Sequence, residues 1–190
     1  MKLLEDRILR DGKVYPGDVL KVDSFLNHRI DVAFLSAIGK EFHKRYQNDR
    51  VSLVLTVEAS GIGVACLAAE QFGCPVVFAK KSKTSNIGEN FYSALAHSYT
   101  HGNDSTLLVS KDYLKKGDRV LILDDFLANG CAATALAQIC AQAGATVVGI
   151  GAVIEKAYQK GGDALRAAGF RVESLARIAS MSPEDGIKFC

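Results

Sequence analysis

The sequence predicts an α/β protein with a mostly parallel central sheet flanked by helices, on three observations. Short β-rich runs alternate with helical segments at 51–57, 62–72 and 76–79, and again at 119–123, 132–143 and 146–154. The runs are continuously apolar rather than alternating, as strands covered on both faces are. The connections suit right-handed strand–helix–strand crossovers. In such sheets ligands bind beyond the carboxyl ends of the strands. The turns after Val57, Ala79, Leu123 and Ile154 are therefore where a site is expected.

Taken in order, the chain opens with a helix over about 2–9, stopped at Asp11-Gly12, and an extended stretch at 13–22 broken by Pro16-Gly17. Asp31 is placed to cap an amphipathic helix in which Phe34, Leu35, Ile38, Phe42 and Tyr46 recur at helical spacing until Asn48-Asp49, with His43 on its exposed side. The strand at 51–57 ends in Glu58-Ala59-Ser60-Gly61, and the small-residue helix that follows stops at Gly73. Residues 80–105 interrupt the alternation. They are polar and basic at first, punctuated by Asn86, Gly88, Gly102 and Asn103, and read as a hairpin or a mobile loop. Strand 119–123, loop 124–131, helix 132–143 and strand 146–154 restore the pattern, and a helix at 163–168 and a strand at 171–178 complete it.

A chain of 190 residues, 48% hydrophobic and 23% charged, is one domain with enough apolar surface to exclude disorder. A net charge of +2 leaves no basic footprint for nucleic acid or a membrane surface. The apolar run at 147–154 is far too short to span a bilayer, and the start Met1-Lys2-Leu3-Leu4-Glu5 meets charge too early for a secretion signal. Five cysteines without a C-x-x-C pair argue against a disulfide framework or a zinc ribbon and suit a reducing cytoplasm. The four histidines (His28, His43, His97, His101) lack metal-ligand spacing, so neither a metal site nor a histidine base is expected.

The most informative segment is 120–132. Four branched apolar residues run into Asp124-Asp125, and Phe126-Leu127-Ala128-Asn129-Gly130-Cys131-Ala132 then enters a helix. Two carboxylates at a strand end can reach vicinal hydroxyls or a hydrated cation. A turn of small residues at a helix N-terminus offers backbone N–H groups and the positive end of the macrodipole to a phosphate, and Gly130 permits a positive φ. Together they describe a site for a ribose 5-phosphate. Adjacent aspartates alone would be read as a strand end and a helix cap; the thirteen-residue pattern outweighs that reading. The turn at Glu58-Ala59-Ser60-Gly61 opens another helix and offers a second backbone anion site, although Gly61-x-Gly63 also suits close helix-on-sheet packing.

This segment resembles the thirteen-residue signature of the type I phosphoribosyltransferases, and Asp124-Asp125-Phe126-Leu127-Ala128-Asn129-Gly130 is similar to the version in the bacterial branch that acts on xanthine. The resemblance runs from Leu20 and Asn27 to Lys156. Ala128 and Ala132 stand where threonines are commoner, and Asn129 replaces a third hydroxyl residue. The phosphate grip then rests on the backbone of Ala128, Asn129, Gly130, Cys131 and Ala132 and on the Asn129 amide.

The resemblance implies transfer of the 5-phosphoribosyl group from phosphoribosyl pyrophosphate, carried with Mg²⁺ and without a metal site made by the protein alone, to xanthine in purine salvage. It implies that Asp124 and Asp125 orient the ribose hydroxyls and support charge at the anomeric carbon. Ala59, Ser60 and Lys81 would hold the pyrophosphate, with a non-proline cis peptide at Ala59-Ser60. Lys80, Ser82, Lys83, Thr84 and Ser85 would stand close by, in a segment that closes over the site; Tyr92 and Tyr99 join this lid or simply pack. Lys156 would donate to the 6-oxo group of the base, Asn27 to its 2-oxo group, and Leu20 would add backbone and apolar contact. The implied architecture is a single domain over 1–190: a core at about 31–160, a hood from about 1–30 and 160–190, and a flexible loop at about 80–105. A cytoplasmic homodimer is implied, with no nucleic-acid or membrane partner.

Three alternatives remain at this point. Lys156 suits guanine and hypoxanthine equally well. A sensor of phosphoribosyl pyrophosphate that regulates purine genes would share the fold but carries an additional DNA-binding segment. Gly61-x-Gly63-x-x-Cys66 approaches a dinucleotide fingerprint, yet it lacks the third glycine, and Lys80-Lys81 stand where an acid is needed.

Overall fold

The computed structural model describes residues 1–82, 90–96 and 105–190. In chain order they form α1 (Lys2–Asp11), β1 (Lys13–Tyr15), β2 (Val19–Lys21), a π-helical turn (Asp23–Asn27), α2 (Val32–Tyr46), β3 (Leu53–Val57), α3 (Gly61–Phe72), β4 (Val76–Ser82), β5 (Phe91–Ala96), β6 (Ser105–Ser110), β7 (Arg119–Leu127), α4 (Cys131–Ala143), β8 (Thr146–Lys156), a 3₁₀ turn (Ala157–Gln159), α5 (Gly161–Ala167), β9 (Val172–Ser182) and β10 (Gly186–Phe189).

Among the described residues the main sheet has the order β10-β9-β8-β7-β3-β4-β6-β5. The run from β9 to β4 is parallel throughout, while β10, β6 and β5 pair antiparallel with their neighbours. The expected mostly parallel α/β sheet is therefore present. From β3 the chain moves outward to β4, then returns to the other side of β3 and builds β7, β8 and β9 away from it. That reversal between β3 and β7 is the switch point at which an open parallel sheet leaves a crevice.

Apolar side chains close both faces. On one face Leu35, Ile38, Phe42 and Tyr46 of α2 and Val64 and Ala68 of α3 pack on Leu121 and Leu123, joined by Leu4 and Ile8 of α1. On the other, Leu136, Ile139 and Cys140 of α4 pack on Leu55, Val120, Ile122 and Ile150. No helix among the described residues is long and apolar enough to cross a membrane.

Asp31 caps α2 as expected: its side chain accepts from the Phe34 N–H at 3.1 Å and pairs with Arg7 at 3.0 Å. Asp31→Ala is expected to lower Tm by roughly 2–4 °C, measured by calorimetry.

Several elements differ from the sequence expectation. The stretch at 13–22 is extended and broken at Pro16-Gly17 as expected, and beyond that expectation its halves pair as a hairpin, Lys13 with Lys21 and Tyr15 with Val19. The turn at 23–27 was unexpected and buries Phe25 and Leu26. β7 does not end at Leu123 but continues through both aspartates to Leu127, because β8 supplies a ladder there, with Asp124 opposite Ala152 and Phe126 opposite Ile154. β4 likewise carries Lys80 and Lys81 as strand residues, paired with Leu108 and Leu107. β10 was also missed. His43 is half-buried rather than exposed, its ring 4.9 Å from that of Phe72. Within 80–105, β5 pairs antiparallel with β6, which continues beyond that stretch, from Phe91↔Ser110 to Ala96↔Ser105. Lys83, Thr84, Ser85, Asn86, Gly88, His97, Tyr99, His101, Gly102 and Asn103 lie outside the described residues.

Candidate active site

The carboxyl ends of β3 and β7 meet at the switch point, and the aspartates of β7 stand there. Asp125 is 7% exposed, and its Oδ2 accepts from Nδ2 of Asn27 at 3.2 Å. Its own N–H donates to Oδ1 of Asp124 at 3.0 Å. Asp124 lies against the start of α3. A Cβ on Gly61 would come within 3.0 Å of Asp124 Oδ1 and overlap Oγ1 of Thr56, so only glycine fits this approach. Burial first, and then the charge of Asp125, push the Asp124 carboxyl well above its ordinary value, with Lys81 opposing weakly. Thr56 is fully buried, and its hydroxyl has no hydrogen-bond partner among the described residues.

Beyond β7 the chain turns through 128–130 into α4. Gly130 caps that helix at φ 82°, a conformation costly for a residue with a Cβ. Asp124, Phe126 and the turn Ala128, Asn129, Gly130, Cys131 and Ala132 line a hollow of about 190 Å³. The five residues expected around a phosphate are thus brought together beside Asp124. The Cys131 N–H donates to Asn129 Oδ1 at 3.2 Å.

The turn after β3 carries the non-proline cis peptide at Glu58-Ala59, one bond before the expected Ala59-Ser60. The β3–β4 pairing persists one residue further, since the Glu58 N–H donates to Ala79 O at 3.1 Å and the Lys81 N–H to Glu58 Oε1 at 2.6 Å. The chain therefore bends away from the sheet directly after Glu58. Ala59 is exposed and Ser60 half-buried, and Ser60 makes no side-chain cap to α3. Lys81 is exposed on β4.

On the opposite side of the crevice, Lys156 closes β8. Its Nζ donates to the backbone oxygen of Asp18 at 2.6 Å and lies 5.7 Å from the centre of the Phe126 ring. Burial lowers its pKa from the usual lysine value, with the Asp18 charge opposing. Leu20 is buried in the apolar cluster with Val22 and Phe25, which limits it to apolar and backbone contact.

Four participants were missed. Asp18 was not singled out in the sequence, and Phe126 stood only as a member of the signature. Tyr158 has a buried hydroxyl with no hydrogen-bond partner among the described residues, and burial, then the charge of Asp18, push it up to about 12. Glu155 is fully buried. An acid at the end of the otherwise apolar run Val153-Ile154 was the signal available for it. Among the described residues no three His, Cys, Asp or Glu side chains converge as a metal cage would require.

One carboxylate lining a phosphate-sized hollow, with a second beside it at the switch point of a parallel sheet, suits a phosphorylated sugar. Residues 22–166 match the phosphoribosyl transferase domain family, and the chain belongs to it. More particularly, the chain is 50% identical over 186 residues to a xanthine phosphoribosyltransferase of Lachnoclostridium phytofermentans, covering 98% of this chain and 96% of the relative. It is 52% identical over 181 residues to one from Ruminiclostridium cellulolyticum, covering 95% of each. In fold it is similar to the adenine phosphoribosyl transferase of Trypanosoma brucei, solved with AMP, pyrophosphate and ribose-5-phosphate. That match has a TM-score of 0.78 at 20% identity and covers 96% of this chain and 83% of that one.

Proposed function

We propose that the protein transfers the 5-phosphoribosyl group of phosphoribosyl pyrophosphate to xanthine, giving xanthosine 5′-monophosphate and pyrophosphate in purine salvage. The observation that carries this is the meeting of Asp124 with the small-residue turn at 128–132 in one hollow, with Asp125 beside it bonded to Asn27, on an edge that also holds Lys156.

The turn takes the 5-phosphate on backbone N–H groups and the N-terminus of α4. Asp124 and Asp125 hold the ribose hydroxyls and face the positive charge that grows at the anomeric carbon as the pyrophosphate leaves. Ala59 and Ser60, at the N-terminus of α3, and Lys81 receive the leaving group. Mg²⁺, held through the pyrophosphate rather than by a cage of protein side chains, would neutralise part of the leaving group's charge. Lys156 leaves the Asp18 carbonyl to donate to the 6-oxo group, which disfavours the 6-amino group of adenine. Asn27 keeps one N–H on Asp125 and has a second for a 2-oxo group, and Leu20 borders the base.

The domain is read as one unit over 1–190, with its core at about 31–160 and a hood from about 1–30 and 160–190. A homodimer is read from the family resemblance alone; Phe78, Phe91 and Tyr113 are exposed at the β4–β6–β5 end of the sheet. A cytoplasmic location fits five free cysteines.

Pyrophosphate release is to be measured with phosphoribosyl pyrophosphate, Mg²⁺ and each of xanthine, guanine, hypoxanthine and adenine. Release is expected to be fastest with xanthine and negligible with adenine. Faster release with guanine would overturn the reading of the base pocket. Binding of phosphoribosyl pyrophosphate without release with any base would make the protein a sensor.

A further inference from the structure

An acid buried without partners is costly, and Glu155 at the end of β8 is fully buried. Its carboxylate accepts from Arg166 Nη1 at 3.1 Å and Nη2 at 2.9 Å, from Ser174 Oγ at 2.6 Å and from Arg177 Nε at 3.2 Å. Burial by itself would raise this carboxyl; the bonds from Arg166 and Ser174 and the two guanidinium charges hold it below its ordinary value. Such a cluster does more than neutralise a charge, because of what is attached to it.

Arg166 stands in the last turn of α5, and α5 begins with Gly161 and Gly162. These neighbours press on different things. A Cβ on Gly162 would overlap Glu155 Oε1 and come within 2.8 Å of Arg166 Nη1. A Cβ on Gly161 would overlap Ala128 O and the Asn129 carbonyl carbon and come within 2.5 Å of the Gly130 nitrogen. The Gly161 N–H donates to Ala128 O at 3.1 Å. A helix of seven residues is marginal by itself. Here the Glu155 carboxylate grips its last turn through a two-pronged Arg166 bond and touches its first turn at Gly162. The braced first turn then bears directly on the turn that faces the hollow.

The geometry points to Glu155 as a positioning residue for the phosphate-binding turn: through Arg166 and Gly162 it fixes α5, and through Gly161 α5 holds the backbone of Ala128 to Gly130 in place. The inference rests on reading 128–132 as the 5-phosphate site. Glu155 and Lys156 are consecutive but serve different substrates, since Lys156 turns to the hood at Asp18. Loosening Glu155 therefore acts on the phosphoribosyl substrate and spares the base.

The test is calorimetric binding of ribose 5-phosphate together with steady-state kinetics, on wild type, Arg166→Ala, Arg166→Lys and Glu155→Gln. Arg45→Ala is the control, since it also loses ion pairs, to Glu41 and Glu173, away from the turn. Arg166→Ala is expected to weaken ribose 5-phosphate binding and raise the KM for phosphoribosyl pyrophosphate about tenfold, with the KM for xanthine and kcat within about twofold. Arg166→Lys recovers part of the loss, and Glu155→Gln exceeds it. If Glu155→Gln does not fold, judged by circular dichroism, the arginine variants decide alone. Wild-type binding of ribose 5-phosphate with no change in Arg166→Ala overturns the link to Glu155. So does an equal rise in both KM values, or the same shift in Arg45→Ala. Failure of wild type to bind ribose 5-phosphate overturns the phosphate site itself, and the link with it.

Discussion

Asp125→Asn is expected to lower turnover at saturating substrates by about 10²- to 10³-fold, or roughly 3–4 kcal/mol in the barrier, with Tm changed by only a few degrees. Asparagine keeps the shape of the side chain and can still meet Asn27, which lies 3.2 Å from the Asp125 carboxylate. What it removes is a negative charge, 7% exposed, beside the centre where positive charge develops. The variant also changes the pH profile in a fixed direction. Burial and then the charge of Asp125 raise the Asp124 carboxyl, so in the wild type the carboxylate form of Asp124 is lost as pH falls, and lost above the usual carboxylate range. Removing the neighbouring charge lowers the Asp124 pKa and moves that acid limb to lower pH. Rates measured across the acid range on both proteins check both effects. Turnover within about threefold of wild type, under roughly 1 kcal/mol, would refute the role given to Asp125.

Lys156→Met is expected to raise the KM for xanthine by about 10- to 100-fold, the value of a hydrogen bond from a charged donor in a half-buried site, and to leave the KM for phosphoribosyl pyrophosphate nearly unchanged. Methionine retains the apolar stem over Phe126 but not the donor. Burial favours the neutral amine of Lys156, so its cation is lost at a lower pH than that of an exposed lysine. Once the ionisation of xanthine itself is divided out, wild-type affinity for the base falls as pH rises through that transition, and the variant lacks the limb. An unchanged KM for xanthine would remove Lys156 from the base pocket.

These two residues also show how unevenly the site was written in the chain. Asp124, Asp125 and the turn through Gly130 are contiguous, and their chemistry is local: a strand end, a positive φ, a helix N-terminus. A short window of residues contains everything needed to read them. The ends of the strands were less legible. β7 runs past Leu123 because β8 pairs with it as far as Leu127, opposite Glu155. Two acids that look like a strand end thus remain in a ladder, and no local pattern records the partner.

The sequence by itself determined the alternation of elements, the capping of α2 by Asp31 and the small-residue turn that enters α4, since each depends on neighbours within a few residues. Only the tertiary structure decided that β3 and β7 lie side by side at the switch point, that Asn27 reaches Asp125 from 98 positions away, and that Glu155 pairs with Arg166 of α5. Those contacts form when strand order and helix packing bring distant segments together. A buried carboxylate or a glycine at a close approach takes its role from whatever surface is folded against it.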